Sequence, residues 1–157
     1  MKAEELTIGS WIKYTDPDSG KSYGCQVKSI SYDGRLTIDF GNYIEVNIND
    51  IEPLKLTTKM LERIGLRKIT VKGDVSKGYA AETDYWIDQH IPGYYMMNEE
   101  SRLHQSCIVY LPDRHGNAWL WLNSDEGRIE CCCNYVHQYQ LALRYFGWDD
   151  KFQLKDE

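Results

Sequence analysis

Short stretches of alternating apolar and polar residues fill the first third of the chain, and tight turns separate them. From Leu36 to Phe40 every second residue is apolar, and turns at Gly34 and Gly41 bound this stretch. Strict alternation is typical of a strand with one buried face, and turns this closely spaced favour a small barrel. The strand-like runs are 8–14, 24–30, 36–40 and 43–46. We therefore predict an SH3-like β-barrel over residues 1–56, closed or nearly closed, with about five strands.

These runs resemble the layout of Tudor domains and other SH3-like barrels. The likeness is carried by Ile8–Trp11, Tyr23–Ile30, Leu36–Phe40, Gly41–Val46 and Asp50–Leu54. A Tudor domain grips a methylated cation in a cage of aromatic rings at one end of the barrel. The resemblance implies a binding site at Tyr23 and Phe40, which fall on two cage-like positions, with Tyr43 as a further candidate. A third cage position falls near Asp16, so the implied cage is incomplete.

A different pattern begins at Thr57, which is a good residue to cap the start of a helix. Met60, Leu61 and Ile64 form an apolar stripe, and Gly65 suits the helix end. These residues predict a short helix that leads into a second group of strands. The strand-like segments are 66–71, 85–90, 94–97, 107–111 and 118–122, with a hairpin turn at 113–117 between the last two.

A second helix is predicted near the end of the chain. Apolar residues recur there at helical spacing: Val136, Tyr139, Leu143 and Phe146. We predict a helix over 133–146, ended by Gly147, that packs this apolar stripe on an antiparallel sheet. The predicted fold class is therefore α+β and rich in strands, with the barrel at 1–56 and an α+β domain at 57–157.

Two short motifs give the chain a further resemblance. Leu56-Thr57 precedes the first helix, and the last helix carries Tyr135-Val136-His137 followed three residues later by Gln140, a Y-V-H-x-x-Q pattern. In these respects the chain is similar to an uncharacterised family from gut Bacteroides-type bacteria and their phages or mobile elements. The resemblance implies a phage or mobile-element origin, and it implies no particular activity.

The charge balance bears on the choice of partner. Hydrophobic residues make up 42% of the chain and charged residues 27%, which is typical of a globular protein. The net charge of −6 opposes binding to phosphate backbones. One basic stretch carries Lys59, Arg63, Arg67, Lys68, Lys72 and Lys77. A solvated helix face and a lysine-guarded strand edge explain this stretch, and nucleic-acid binding through 59–77 stays an alternative function.

No long apolar run opens the chain or interrupts it, so we expect a cytoplasmic protein with neither an export signal nor a membrane span. In that compartment cysteines remain reduced. The five cysteines are Cys25, Cys107, Cys131, Cys132 and Cys133. We expect them to be free thiols.

The three consecutive cysteines do not have the spacing of a zinc site, because adjacent side chains diverge on any backbone. Only Cys133 and His137, four residues apart on the predicted helix, would share a face. We therefore predict no bound metal, no cofactor and no catalytic residue. A small hydrolase or metal enzyme built on these two residues is a second alternative.

Aromatic residues make up 13% of the chain, a large share that suits strands and contact surfaces. Trp119 and Trp121 would share one face of a strand, while Leu120 and Leu122 take the other. One of these faces must pack under a helix, and the other faces solvent, the barrel or a partner. The leading hypothesis is a non-enzymatic protein-binding or adaptor protein, with Trp119 and Trp121 as candidate binding residues.

Overall fold

The computed structural model describes residues 5–78, 81–88, 94–95, 103–104, 107–112, 118–124, 127–145, 147–148 and 152–154. Within these ranges the protein is strand-rich and contains two helices. The predicted α+β class is therefore confirmed.

The strands are β1 (Trp11–Thr15), β2 (Ser22–Ile30), β3 (Arg35–Asp39), β4 (Tyr43–Asn47), β5 (Ile51–Pro53), β6 (Leu66–Lys72), β7 (Glu82–Asp88), β8 (Tyr94–Tyr95), β9 (Leu103–His104), β10 (Cys107–Pro112), β11 (Ala118–Ser124) and β12 (Gly127–Cys132). The helices are α1 (Thr58–Ile64) and α2 (Val136–Tyr145). The chain divides into two compact units. The first unit is Met1–Lys55 with Tyr135–Leu141, and the second unit is Leu56–Asn134 with Ala142–Glu157.

The first unit contains a five-stranded antiparallel sheet in the order β4-β3-β2-β1-β5. Strands β1 to β4 correspond to the four strand-like runs of the sequence, and β5 brings the number to the five that were expected. The sheet is open rather than closed, because β4 and β5 form its two edges and are not paired with each other. A single 3-10 turn at Ile48–Asp50, capped by the side chain of Asn47, leads from β4 into β5.

The core of the first unit follows the alternation seen in the sequence. Leu36 and Ile38 are fully buried, while Arg35 and Asp39 on the opposite face of β3 are exposed. Their buried neighbours include Leu6, Ile12, Cys25, Val27 and Ile51. Burial of an aliphatic side chain of this size contributes about 1.5–3 kcal/mol, so this face accounts for most of the stability of the sheet.

Helix α1 begins and ends where local signals predicted. The Thr57 hydroxyl oxygen accepts the Met60 N–H at 3.2 Å. Gly65 takes a positive φ of 105° and donates its N–H to the carbonyls of Leu61 and Glu62. Leu61 and Ile64 are buried, as the apolar stripe required.

The second unit contains a five-stranded antiparallel sheet in the order β12-β11-β10-β7-β6, and β8 pairs with β9. The predicted pairing of β10 with β11 is confirmed, since Tyr110 lies opposite Leu120 and Leu111 opposite Trp119. Strand β12 was not predicted, because no strand-like segment was assigned between residue 122 and the last helix. The predicted turn at 113–117 and the predicted strand ends at His90 and at 96–97 lie outside the described residues.

Helix α2 begins at Val136, three residues later than predicted. Cys133 and Asn134 form an extended link instead, in which Cys133 donates its N–H to the Ala118 carbonyl at 2.8 Å. Val136, Tyr139 and Leu143 are fully buried, as predicted from their spacing, and Phe146 lies outside the described residues. Residues Tyr135–Leu141 belong to the first unit, whereas the sequence analysis placed the whole helix in the second domain.

Candidate functional site

Three aromatic rings meet at one end of the first sheet, and we call them the aromatic cluster: Tyr14, Tyr23 and Phe40. Tyr14 and Tyr23 are directly paired on β1 and β2, so their side chains project from the same face. The ring of Phe40, which follows β3, meets Tyr23 at a centroid distance of 4.6 Å and Tyr14 at 5.4 Å. The interplanar angles of 79° and 77° are edge-to-face, the geometry that aromatic quadrupoles favour.

The aromatic cluster is open on one side. Tyr14 is buried and Phe40 is half-buried, whereas 40% of the Tyr23 surface is exposed. Tyr14 therefore forms the buried side of the aromatic cluster. Tyr23 and Phe40 form its accessible side. An accessible ring face attracts cations through its quadrupole.

Three acidic residues act electrostatically on Tyr14, and we call them the acidic rim: Asp16, Asp18 and Asp50. Burial is the largest cause of the raised pKa of Tyr14, and the charges of Asp16, Asp50 and Asp18 raise the pKa further, in that order. Each rim residue therefore lies close enough for its negative charge to act on this ring. The rim makes the surroundings of Tyr14 electronegative.

Asp16 also has a structural role in the loop between β1 and β2. Its Oδ1 accepts the Asp18 N–H at 3.0 Å, and its Oδ2 accepts the Ser19 hydroxyl at 2.9 Å. The Gly20 N–H donates to the Asp16 carbonyl at 2.8 Å. These bonds fix the carboxylate beside the aromatic cluster instead of leaving it on a mobile side chain.

The sequence analysis found two of the three rings. Tyr23 and Phe40 are in contact, whereas Tyr43 lies opposite Asp39 on β4, is 71% exposed and makes no ring contact with the cluster in the described structure. Tyr14 was missed as a site residue because its alternation with Ile12 marks it as core. Its nearness to Phe40 depends on the pairing of β1, β2 and β3, which no local pattern reveals.

The tryptophans and leucines of β11 lie on opposite faces of the second sheet, as predicted. Leu120 and Leu122 are fully buried, while Trp119 is 40% exposed and Trp121 is half-buried. Both tryptophans therefore lie on the more open face.

The predicted shared helix face of Cys133 and His137 is wrong, because Cys133 precedes the helix. His137 is 2% exposed, its Nε2 lies 3.5 Å from Glu5 Oε2, and its ring stacks on Tyr135 at 5.9 Å. Burial lowers the pKa of His137, although Glu5 acts in the opposite direction. Among the residues that the structure describes, no group of three or more His, Cys, Asp or Glu side chains is placed to hold a metal ion.

Gln140, the last residue of the Y-V-H-x-x-Q pattern, joins the last helix to the backbone around the start of β1 within the first unit. Its Oε1 accepts the Trp11 N–H at 2.8 Å, and its Nε2 donates to the Gly9 carbonyl at 2.9 Å. Gln140 therefore stabilises the fold of the first unit through backbone groups next to β1.

The basic stretch is spread over several elements. Arg67 and Lys68 are adjacent on β6 and so project to opposite faces, and Lys72 lies directly opposite Glu82. Thr70 donates its hydroxyl to Asp84 at 2.7 Å on the same strand pair. Acidic residues of β7 thus lie beside residues of β6. The basic residues of the stretch therefore do not form one continuous basic surface.

Comparison of the chain with protein-family models, curated proteins and solved structures found no match. Neither helix in the described part of the chain has the length and apolar character that a membrane span requires.

Proposed function

We propose that the protein is a non-enzymatic protein-binding module that holds a cationic side chain of its partner at the aromatic cluster. The observation that carries the proposal is the meeting of three rings, from β1, β2 and the turn after β3, with three negative charges acting on Tyr14, one of the three. The aromatic surface and the negative charge both favour a cation, and both disfavour an anionic ligand.

Energetic considerations support a cation as the ligand. A cation over an aromatic ring gains about 0.5–1 kcal/mol at an exposed site and about 2 kcal/mol or more when desolvated. A carboxylate at about 4 Å adds roughly 1 kcal/mol in bulk water and about 4 kcal/mol near a protein surface. Because the Asp16 carboxylate is held by hydrogen bonds within its own loop, little ordering of this residue is needed when the cation arrives. A lysine or arginine side chain, methylated or not, has the required charge.

The arrangement of the first sheet supports its assignment as an SH3-like, Tudor-like barrel. Five short antiparallel strands follow one another along the chain, β1 pairs with both β2 and β5, and a 3-10 turn precedes β5. In this assignment we propose that Tyr14 and Asp16 complete the cage. A small antiparallel sheet of this kind is suited to holding a short segment of a partner protein.

The Y-V-H-x-x-Q pattern supports the further proposal that the protein belongs with an uncharacterised phage or mobile-element family and acts in the cytoplasm as an adaptor. The bonds of Gln140 to the backbone around Gly9 give the pattern a structural reason to persist in such a family.

The proposal is tested by NMR titration with choline and with 3,3-dimethylbutanol, a neutral molecule of nearly the same shape. We expect choline to shift the ring resonances of Tyr23 and Phe40 with saturation in the millimolar range, and the neutral alcohol to shift them several-fold less. Equal shifts with both molecules would show that charge plays no part, and the proposal would then fail.

Two substitutions locate the binding. Tyr23→Ala removes the exposed ring of the cluster and should abolish the choline shifts. Tyr32→Ala removes an equally large but fully exposed ring on the turn after β2, and should leave the shifts unchanged. Choline binding that survives Tyr23→Ala would place the ligand elsewhere.

A further inference from the structure

One row of residues crosses the entire second sheet. In strand order it runs from Glu130 on β12 through Trp121, Val109 and Ile87 to Arg67 on β6, and each is the direct Cα partner of the next. Directly paired residues of antiparallel strands belong to the same face. This cross-sheet row therefore has a carboxylate at one end, a guanidinium at the other and apolar residues between them.

The face that carries the cross-sheet row is the more open of the two. Ile87 and Trp121 are half-buried, while Arg67, Glu130 and Trp119 are exposed. The opposite face is closed, with these residues buried: Trp86, Tyr110, Leu120 and Leu122. Ile69 and Tyr85, which pair across β6 and β7, extend the half-buried area beside the row. Large apolar groups gathered on an open sheet face mark an interaction surface.

We propose that this face binds a second copy of the same chain, related to the first by a two-fold axis parallel to the strands. Rotation about such an axis brings the same face of the second copy against that of the first. The strands of the two copies then run in the same direction, and the order of the strands is reversed in the second copy. Glu130 of each copy then stands opposite Arg67 of the other, and Trp121 stands opposite Ile87. The contact is isologous, so each favourable pair is made twice.

The distribution of charge favours a second copy of the chain as the partner. It also favours a two-fold axis that runs parallel to the strands. The two ends of the cross-sheet row carry opposite charges. The row is therefore complementary to the row of a second copy in which the strand order is reversed. An axis across the strands would instead bring Glu130 opposite Glu130 and Arg67 opposite Arg67, which like-charge repulsion disfavours. Aligned strands also suit face-to-face packing, in which two sheets stack about 10 Å apart with their strands within about 30°. Because the chain carries a net charge of −6, unspecific association of copies is opposed, and the paired charges set the arrangement.

Sedimentation equilibrium of the full chain at several concentrations tests the proposal. We expect the wild type to approach twice the chain mass of 18.4 kDa as its concentration rises. Arg67→Glu and Glu130→Arg each create two like-charged pairs, so each should raise the dimer dissociation constant at least about tenfold. A wild type that stays monomeric up to several hundred micromolar would overturn the proposal.

The decisive measurement is an equimolar mixture of the two single variants. At one contact of the mixed pair the introduced arginine of one copy faces the introduced glutamate of the other, and the second contact keeps the native Glu130 and Arg67. The dimer should therefore return to near wild-type strength. Because recovery requires both variants to be folded, it also excludes misfolding as the cause of the loss in each single variant. Single variants that remain dimeric, or a mixture that stays monomeric while both variants show wild-type thermal unfolding, would contradict the proposed axis.

Two control variants change the net charge equally at sites away from the row. Lys68→Glu lies on β6 next to Arg67 but projects to the other face, and Glu62→Arg lies on the exposed side of α1. Both should dimerise like the wild type. A loss of dimer in these controls as large as in the row variants would show that net charge, rather than the row, governs association.

Discussion

The side chain of Gln140 uses both ends of its amide to hold the backbone on either side of Ser10. One end accepts from Trp11 and the other donates to Gly9, whose carbonyl also accepts the side-chain amide of Gln26 at 3.3 Å. The amide makes both contacts because it carries an acceptor oxygen and a donor NH₂ group at one side-chain end, whereas a carboxylate carries only acceptors. A single residue near the end of the chain thus fixes the entry into β1.

Gln140→Glu is expected to lower the free energy of unfolding by about 1–3 kcal/mol, because the carboxylate has no donor for the Gly9 carbonyl. Urea unfolding at pH 7 measures the loss. Gln153→Glu, the same change at an exposed residue, serves as the control and should have almost no effect. Equal stability of the two variants would contradict the structural role of Gln140.

We expect His137 to make the stability of the protein sensitive to mild acid. Burial lowers its pKa, so the folded protein binds a proton less readily than the unfolded chain, whose histidine titrates near 6.5. Below that pH the unfolded chain holds more protons, so the free energy of unfolding should fall as the pH drops from 7 to 5. Asp33 and Asp74, whose pKa values are lowered by hydrogen bonds from serine hydroxyls, lose their contribution only in stronger acid.

Urea unfolding of wild type and His137→Gln at pH 5, 6 and 7 measures this effect. The variant lacks a group that titrates in this range at position 137, so its stability should depend less steeply on pH. Identical pH dependence in the two proteins would show that another group controls the response.

The elements show which parts of the structure local sequence determines. Helix α1 was predicted correctly because its cap at Thr57 and its end at Gly65 are interactions between residues four or fewer positions apart. Strand β12 was missed because its pairing with β11 joins Cys131 to Leu120 and Cys132 to Trp119, contacts that no local pattern specifies. Tyr14 was omitted from the candidate site for the same reason, because only the assembled sheet brings Tyr14 close to Phe40.

Thr57→Ala is expected to lower the free energy of unfolding by about 0.5–2 kcal/mol, because the Met60 N–H at the start of α1 loses its acceptor. Thermal or urea unfolding measures the change. Thr58→Ala, one residue further on and inside the helix, is the matched control and should cost little, since alanine favours the helix. A loss at Thr58 equal to that at Thr57 would exclude the capping explanation.

At the scale of the whole molecule, the first unit is built from two distant parts of the chain. Its sheet lies within residues 11–53. The segment Tyr135–Leu141 adds Val136, which donates its N–H to the Leu54 carbonyl, and Tyr139, which is fully buried. The same segment brings in the two bonds of Gln140. A boundary at residue 56 therefore separates the sheet from a part of its own core.

A fragment of residues 1–56 is accordingly expected to unfold at markedly lower urea concentration than the first unit does within the full chain. Amide hydrogen exchange of β1 reports this directly, because the Trp11 N–H should lose its protection in the fragment. Addition of a peptide covering 134–145 should restore part of the protection. A fragment as well protected as the full chain would show that the helical segment is dispensable for the first sheet.

Because the first unit is built from two distant parts of the chain, it can be completed only late in synthesis on the ribosome. The sheet of the first unit emerges early, but Tyr135–Leu141 follows only after residues 56–134 have been made. At 5–20 residues per second that delay is roughly 4–16 s. Throughout this interval the nascent chain exposes the surface that later receives Val136 and Tyr139, so it is a natural target for chaperones. A chain whose synthesis stops before residue 135 would keep that surface exposed and so remain recognisable as incomplete.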